Sequence, residues 1–337
     1  MSEKKYLSAS RINTLDKCSW SYWCNYHLKL PQTTNSGAQR GTLCHLIFEL
    51  LINKKHRKHY NAIVKEGSIK GSPAVDNLVV KHLKKDGLLS NRIGGEDHYE
   101  LCDKMILTGL KHDFFCEGGE LLDPEYKFVI ENEDPEYKVL GYIDKIAEFP
   151  KEKKIQIVDY KSSKQKFSGE DLTSNLQGMI YSMVATKVWP KLKPIVQFKF
   201  LRFPKKPDQN LEFSEDTLGG LEYYLAKVYK VINSFSEKDA KSNFAADQPM
   251  PPSGGGFKGP LNCGFAKAKG QLKKDGSVMW HCPYKFDFEY YALVNSDKEI
   301  IKTSLDKKDL KKDEEHTIKK MRYEGCPRHN GPDDFDF

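Results

Sequence analysis

The stretch Gly141-Tyr-Ile-Asp144-Lys-Ile, followed after a short charged turn by Ile155-Gln-Ile-Val-Asp159-Tyr-Lys161-Ser-Ser, constrains the fold more than any other part of the chain. Its period-two pattern reads as two neighbouring β-strands. Side chains alternate between the faces of a strand, so Asp159 and Lys161 share one face while Val158 and Tyr160 share the other. A carboxylate and an ammonium at the end of an otherwise apolar strand cost free energy unless they are partnered. A second carboxylate, Asp144, on the adjacent strand makes a divalent cation the natural partner. The pattern points to metal-dependent phosphodiester chemistry.

The 337 residues, 39% hydrophobic and 30% charged, are enough for one elaborated domain or two ordinary ones with a sizeable core. A formal charge of +7 favours a polyanionic partner such as nucleic acid. Met1-Ser-Glu-Lys-Lys-Tyr leads into an amphipathic pattern without the apolar region of a secretory signal. The longest apolar run, Leu43 to Ile52, is broken by His45 and Glu49 and is too short to span a bilayer. Eight cysteines without the spacing of a small disulfide framework imply reduced thiols and a cytoplasmic setting with no membrane partner.

Ser8 or Ser10 caps a first helix predicted to run to about Tyr26, and a second is expected over about 38–55, with Gly41, His45 and Glu49 on one face. Another follows over 97–116. The pattern then changes to strands at Tyr126–Ile130, Lys138–Phe149 and Lys154–Lys161, a helix over about 170–189, a strand at Ile195–Phe203 and a helix over 216–235. Beyond a Pro/Gly-rich breaker lie an aromatic strand near Phe286–Val294, a charged helix over about 297–323 and a tail. The implied division is 1–245 for the main domain, 246–260 for the loop, 261–326 for a C-terminal extension packed on the core, and 327–337 for the acidic tail.

Five motifs in this order resemble the PD-(D/E)xK nuclease superfamily, and most closely its RecB-like branch of recombination nuclease domains and CRISPR-adaptation nucleases. They are Ser10 to Cys18 to Tyr22 in the opening helix, Gly41-x-x-x-His45, Gly141-x-x-Asp144, Asp159-x-Lys161 and Gln177-x-x-x-Tyr181. The resemblance implies an α/β restriction-endonuclease-like core of helix, three-stranded β-meander, helix and strand, with flanking helices and a C-terminal extension. It implies a DNA exonuclease of replication, recombination or repair, in a compact form that suits a phage enzyme acting in its host's cytoplasm. Asp144 and Asp159 would bind Mg²⁺ or Mn²⁺ with His45 and the Tyr160 carbonyl, Lys161 would orient water and offset charge, and Gln177 and Tyr181 would position the strand or the DNA. Glu49, one turn beyond His45, is placed to orient its ring. The alternatives are a non-catalytic DNA-binding or recombination scaffold that keeps the fold, and a structure-specific endonuclease.

Some RecB-like nucleases hold a 4Fe–4S cluster with one cysteine from the first helix and three near the C-terminus. Cys18 stands at the first position, but Lys285 stands where a second thiol would follow Cys282. That leaves Cys263, Cys282 and Cys326 as dispersed candidates for a cluster, or with His329 for zinc, against the default of ordinary thiols. Trp20, Tyr22 and Trp23 are candidates for stacking on bases, with core packing the commoner fate. Lys54–Lys58, Lys81–Lys85 and Lys205–Lys206 are basic clusters suited to phosphates. The tail Asp333–Phe337 resembles the acidic, phenylalanine-ended tails of single-stranded-DNA-binding proteins, which implies docking to a replication or recombination protein.

Overall fold

The computed structural model describes residues 5–32, 35–89, 97–248, 261–274, 276 and 278–330. Most of the Pro/Gly-rich loop and the whole Asp333–Phe337 segment lie outside them. In chain order the longer helices are α1 (Ala9–Lys17), α2 (Ser19–Tyr26), α3 (Ser36–Ile52), α4 (Arg57–Glu66), α5 (Pro73–Lys85), α6 (His98–Leu110), α7 (Leu176–Val188) and α8 (Glu215–Ser234). The strands are β1 (Glu120–Leu121), β2 (Tyr126–Glu133), β3 (Glu136–Ile143), β4 (Lys145–Phe149), β5 (Lys154–Lys161), β6 (Lys193–Phe200), β7 (Asp208–Leu211), β8 (Phe288–Val294), β9 (Ile300–Ser304) and β10 (Thr317–Tyr323). They fall into two compact units, Met1–Ala9 with Thr34–Asn233, and Ser10–Thr33 with Ser234–Phe337.

The first unit is mixed α/β. Its five-stranded sheet has the order β1-β4-β5-β6-β7. β5 and β6 run parallel and the other pairs antiparallel. A parallel pair needs a crossover, which α7 supplies, so the residues after β5 return over the sheet before β6 begins. Leu43, Ile47, Phe48 and Leu51 of α3 pack with Val79, Leu83, Met105 and Ile106 of α5 and α6 against Val158 and Tyr160 of β5. That burial commits one face of β5 to the core and leaves Asp159 and Lys161 on the other. Side-chain caps fix where the helices begin: Asn35 accepts from Ala38 N at 2.9 Å, Asp97 from Tyr99 N at 3.0 Å, and Asn175 from Gly178 N at 2.9 Å.

The expected meander is corrected at one point. The strand read as 138–149 is two strands meeting at Asp144, β3 pairing with β2 in a separate ribbon and β4 joining the five-stranded sheet. The change of partner is held by Asp144 itself. Its Oδ2 accepts from Tyr160 N at 2.7 Å and its carbonyl accepts from Glu125 N at 3.3 Å. Gly141 belongs to the same bend. A Cβ there would lie 2.4 Å from Cζ of Phe128, its partner across the ribbon.

The second unit joins α1 and α2 to the antiparallel sheet β10-β8-β9. Trp20, Cys24 and Leu30 are buried with Tyr290, Ala292 and Tyr323. This packing groups residues 10–33 with the C-terminal stretch, which differs from a linear division at residue 245. Trp20 and Tyr22 are buried, so base stacking is closed to them, while Trp23 stacks on His27. The single opening helix is broken at Cys18, whose extended backbone caps α2, Sγ accepting from Ser21 N at 3.5 Å. The charged helix expected over 297–323 is instead β9 and β10. Met321 and Tyr323 feed the core, while Lys320 and Arg322 pair at the surface with Glu289 (2.7 Å) and Asp287 (3.0 Å). The charge density of a solvated sheet face had the look of a solvated helix.

Candidate metal and catalytic site

Four elements of the first unit converge where β5 ends. Gly41 lets α3 approach closely, since a Cβ there would lie 2.9 Å from Ser162 Oγ. One turn on, His45 therefore reaches both strands, with Nδ1 3.0 Å from Asp144 Oδ1 and Nε2 2.9 Å from the Tyr160 carbonyl. Both ring nitrogens face acceptors, and only an imidazolium satisfies both. Burial works against the charged ring, but the Asp144 hydrogen bond, the charges of Asp144 and Asp159 and the Tyr160 carbonyl outweigh it and raise its pKa. An arrangement that draws positive charge into a half-buried place is one that a divalent cation also fits.

The third member of this group is Glu125, which the sequence reading missed. One ligand atom each from His45, Glu125 and Asp144 lie within 4.8 Å of one another, and Asp159 is not part of that trio. A cavity of about 10 Å³ between them, also lined by Glu49 and Tyr160, is of single-ion size. Burial raises the Glu125 pKa, and Asp144 adds to the effect, as expected of carboxylates crowded together without a counter-ion. Glu125 sits at a positive φ of 52° just before β2, where no periodicity announces it. The only sequence signal is the Pro124-Glu125 pair preceding the strand.

Asp159, 3% exposed, turns to the other partners. Its Oδ2 lies 2.7 Å from Lys161 Nζ. Its Oδ1 accepts from Gln177 Nε2 at 2.8 Å and lies 3.1 Å from the Tyr181 hydroxyl. Burial raises the Asp159 pKa despite Lys161, with Asp144 acting in the same direction. Gln177 from α7 clamps both, its Oε1 accepting from Lys161 Nζ at 2.6 Å. Tyr181, one turn later, also lies 3.0 Å from the Tyr142 carbonyl, and burial keeps its phenol protonated. The structure thus brings His45, Asp144, Asp159, Tyr160, Lys161, Gln177 and Tyr181 into one network. Glu49 is exposed at the rim, and the His45 ring bonds to Asp144 and the Tyr160 carbonyl instead.

The second unit holds a separate feature. Cys18, Cys263, Cys282 and Cys326 line one cavity of about 420 Å³, together with Trp280, Lys285 and His329. Burial first, then the neighbouring thiols, pushes Cys263 up to about 11 and Cys326 up to about 12, and burial raises Cys282. His329 Nε2 is buried there without a hydrogen-bond partner. Among the described residues, no three of these ligand atoms lie within 4.8 Å of one another. A lone tetrahedral zinc would draw its ligands to roughly 3.3–3.8 Å separations.

Comparison with protein-family models matches residues 6–254 to the PD-(D/E)XK nuclease superfamily, and the chain belongs to that superfamily. No curated protein matches it. Among solved structures it is similar to the crystal structure of protein VC1899 from Vibrio cholerae, at 12% identity and a TM-score of 0.22, over 59% of this chain and 58% of that one. The chain therefore spans less than two thirds of that protein's length. No helix among the described residues is long and apolar enough to cross a membrane.

Proposed function

We propose that the chain is a divalent-metal-dependent deoxyribonuclease. The observation that carries this reading is the trio His45, Glu125 and Asp144, with ligand atoms within 4.8 Å, beside the Lys161–Asp159 pair. These residues, with the Tyr160 carbonyl, would hold the cation, and the imidazole makes Mn²⁺ at least as suitable as Mg²⁺. A cation bound there supplies Lewis acidity toward water and the phosphoryl oxygens. Asp159, fixed by Gln177 and Tyr181, completes the negative rim. Lys161 holds its ammonium on the same face, where it orients the attacking water and offsets charge growing on the phosphate. Tyr181 keeps its proton and braces Asp159 against the Tyr142 carbonyl. The RecB-like motif order favours exonuclease action in replication, recombination or repair. The test is cleavage of end-labelled DNA with and without Mn²⁺ by the wild type, Asp159→Ala and Lys161→Ala. Loss in both variants is expected; equal rates in all three retire the reading, and a ladder of internal products shifts it to an endonuclease.

A second reading concerns the second unit. The four cysteines that line one cavity favour a 4Fe–4S cluster held by Cys18, Cys263, Cys282 and Cys326. Anaerobically purified protein should be brown with about four iron and four sulfide per chain. A colourless, iron-free sample sinks this assignment.

A further inference from the structure

Tyr142 occupies the second position of Gly141-x-x-Asp144, and its main chain is already part of the site through the Tyr181 hydroxyl. Its side chain is not. The ring is 51% exposed, and among the described residues it makes no ring contact and its hydroxyl no hydrogen bond. The backbone beneath it is paired with β2, and the Phe128 ring packs close over Gly141. Directly across the ribbon stands Lys127, exposed and without an ion pair among the described residues. The next rung is Val129, 44% exposed, opposite half-buried Leu140. Only then does the face close, with Glu131 paired to Lys138 and bonded by the Tyr6 hydroxyl at 2.6 Å.

A free aromatic face and a free ammonium side by side match one nucleotide, the ring taking the base and the lysine its phosphate. Tyr142 precedes Asp144 by two residues, at most about 7 Å along the backbone, which is about one step of an extended single strand. Bases inside a duplex have both faces covered by their neighbours, so a protein ring can stack only on an unpaired one. We infer that the β2–β3 ribbon is the entry track for single-stranded DNA, with Tyr142 the stacking platform for the nucleotide next to the scissile phosphate and Lys127 its phosphate contact. The inference rests on the nuclease reading and names the substrate class of that same site.

The test uses single-stranded oligonucleotides carrying one 2-aminopurine at successive positions, with a blunt duplex of the same sequence beside them. Binding is followed by fluorescence in metal-free buffer, and cleavage is followed separately with Mn²⁺. In the wild type one position should be quenched; Tyr142→Phe and Tyr142→Trp should keep that quench and Tyr142→Ala lose it. Tyr142→Ala should raise KM for the single strand about tenfold, with kcat within about twofold and the duplex little affected. Lys127→Ala should lower the slope of log affinity against log salt by about 0.7. The substituted side chain is exposed, so circular dichroism of Tyr142→Ala should match the wild type. An unchanged quench and KM in Tyr142→Ala overturns the platform, as does a loss of kcat that Tyr142→Phe does not restore. A wild type that cuts nothing yet loses its quench in Tyr142→Ala supports the platform and refutes only the nuclease reading.

Discussion

Replacing Gly141 with alanine should damage the site through one contact that can be removed at will. The new Cβ would lie 2.4 Å from Cζ and 2.8 Å from Cε1 of Phe128. Carbon pairs settle at about 3.5–4.0 Å, so the ring must retreat by roughly 1 Å. Phe128 is 4% exposed and meets Tyr181 edge to face at 86°, with centroids 6.4 Å apart. The retreat therefore presses on the tyrosine whose hydroxyl lies beside Asp159. Overpacking of this kind costs about 1–3 kcal/mol. In a unit of this size each kcal/mol lowers Tm by about 2–4 °C. Phe128→Ala alone should cost more, about 3–5 kcal/mol, because it leaves a hole. If the clash is with the ring, adding Gly141→Ala to Phe128→Ala should cost almost nothing, and alanine's better strand fit is worth about 0.5–1 kcal/mol. Thermal and urea unfolding of the four proteins give the coupling directly, expected at about 1–3 kcal/mol. Additive effects, within about 0.5 kcal/mol, would refute the account of why a glycine stands there.

Three further outcomes follow from the same geometry. The folded state raises the Glu125 pKa, so it binds that proton more tightly than the unfolded chain; stability from this group is present at acid pH and lost as pH rises through the folded pKa. Glu125→Gln should therefore melt higher than the metal-free wild type at neutral pH, with the difference fading on acidification. At a hundredfold excess of Mn²⁺ over its Kd the wild type should gain about 2.7 kcal/mol, and Glu125→Gln little; equal shifts by scanning calorimetry exclude Glu125 as a ligand. Lys161→Ala should lose at least about 100-fold in cleavage rate yet keep the Mn²⁺-induced rise in Tm, since its ammonium is not a ligand; loss of that rise reassigns it to the metal site. Tyr181→Phe leaves Gln177 and Asp159 short of a buried partner and should cost about 1–3 kcal/mol in unfolding experiments; an unchanged Tm means the hydroxyl braces nothing.

What was legible in the sequence was what regular elements transmit. The period of β5 put Asp159 and Lys161 on one face, and the one-turn steps Gly41 to His45 and Gln177 to Tyr181 put each pair on one side of its helix. Glu125 was not legible because it sits in a left-handed turn, where spacing carries no direction. The break at Asp144 was hidden for a related reason: one apolar run serves two sheets, and only the hydrogen bonds of Asp144 divide it. Cys326 follows β10, which read as part of a charged helix, and Cys263 is tied to Cys282 by a main-chain hydrogen bond, so the convergence of these thiols with Cys18 had no local signature.

The interleaving of the two units has a consequence for how the protein is made. Trp20, Cys24 and Leu30 leave the ribosome well before their partners, which lie beyond residue 234, about 200 residues later. At roughly 5–20 residues per second this is about 10–40 s during which the segment waits uncovered, an obvious client for a chaperone. Anything bridging Cys18 and Cys326 can be installed only after residue 326 has been made, whereas His45, Glu125, Asp144 and Asp159 all precede Cys326 by more than 160 residues. Loading of any cofactor between those two cysteines therefore comes after every residue of the acidic site has been made.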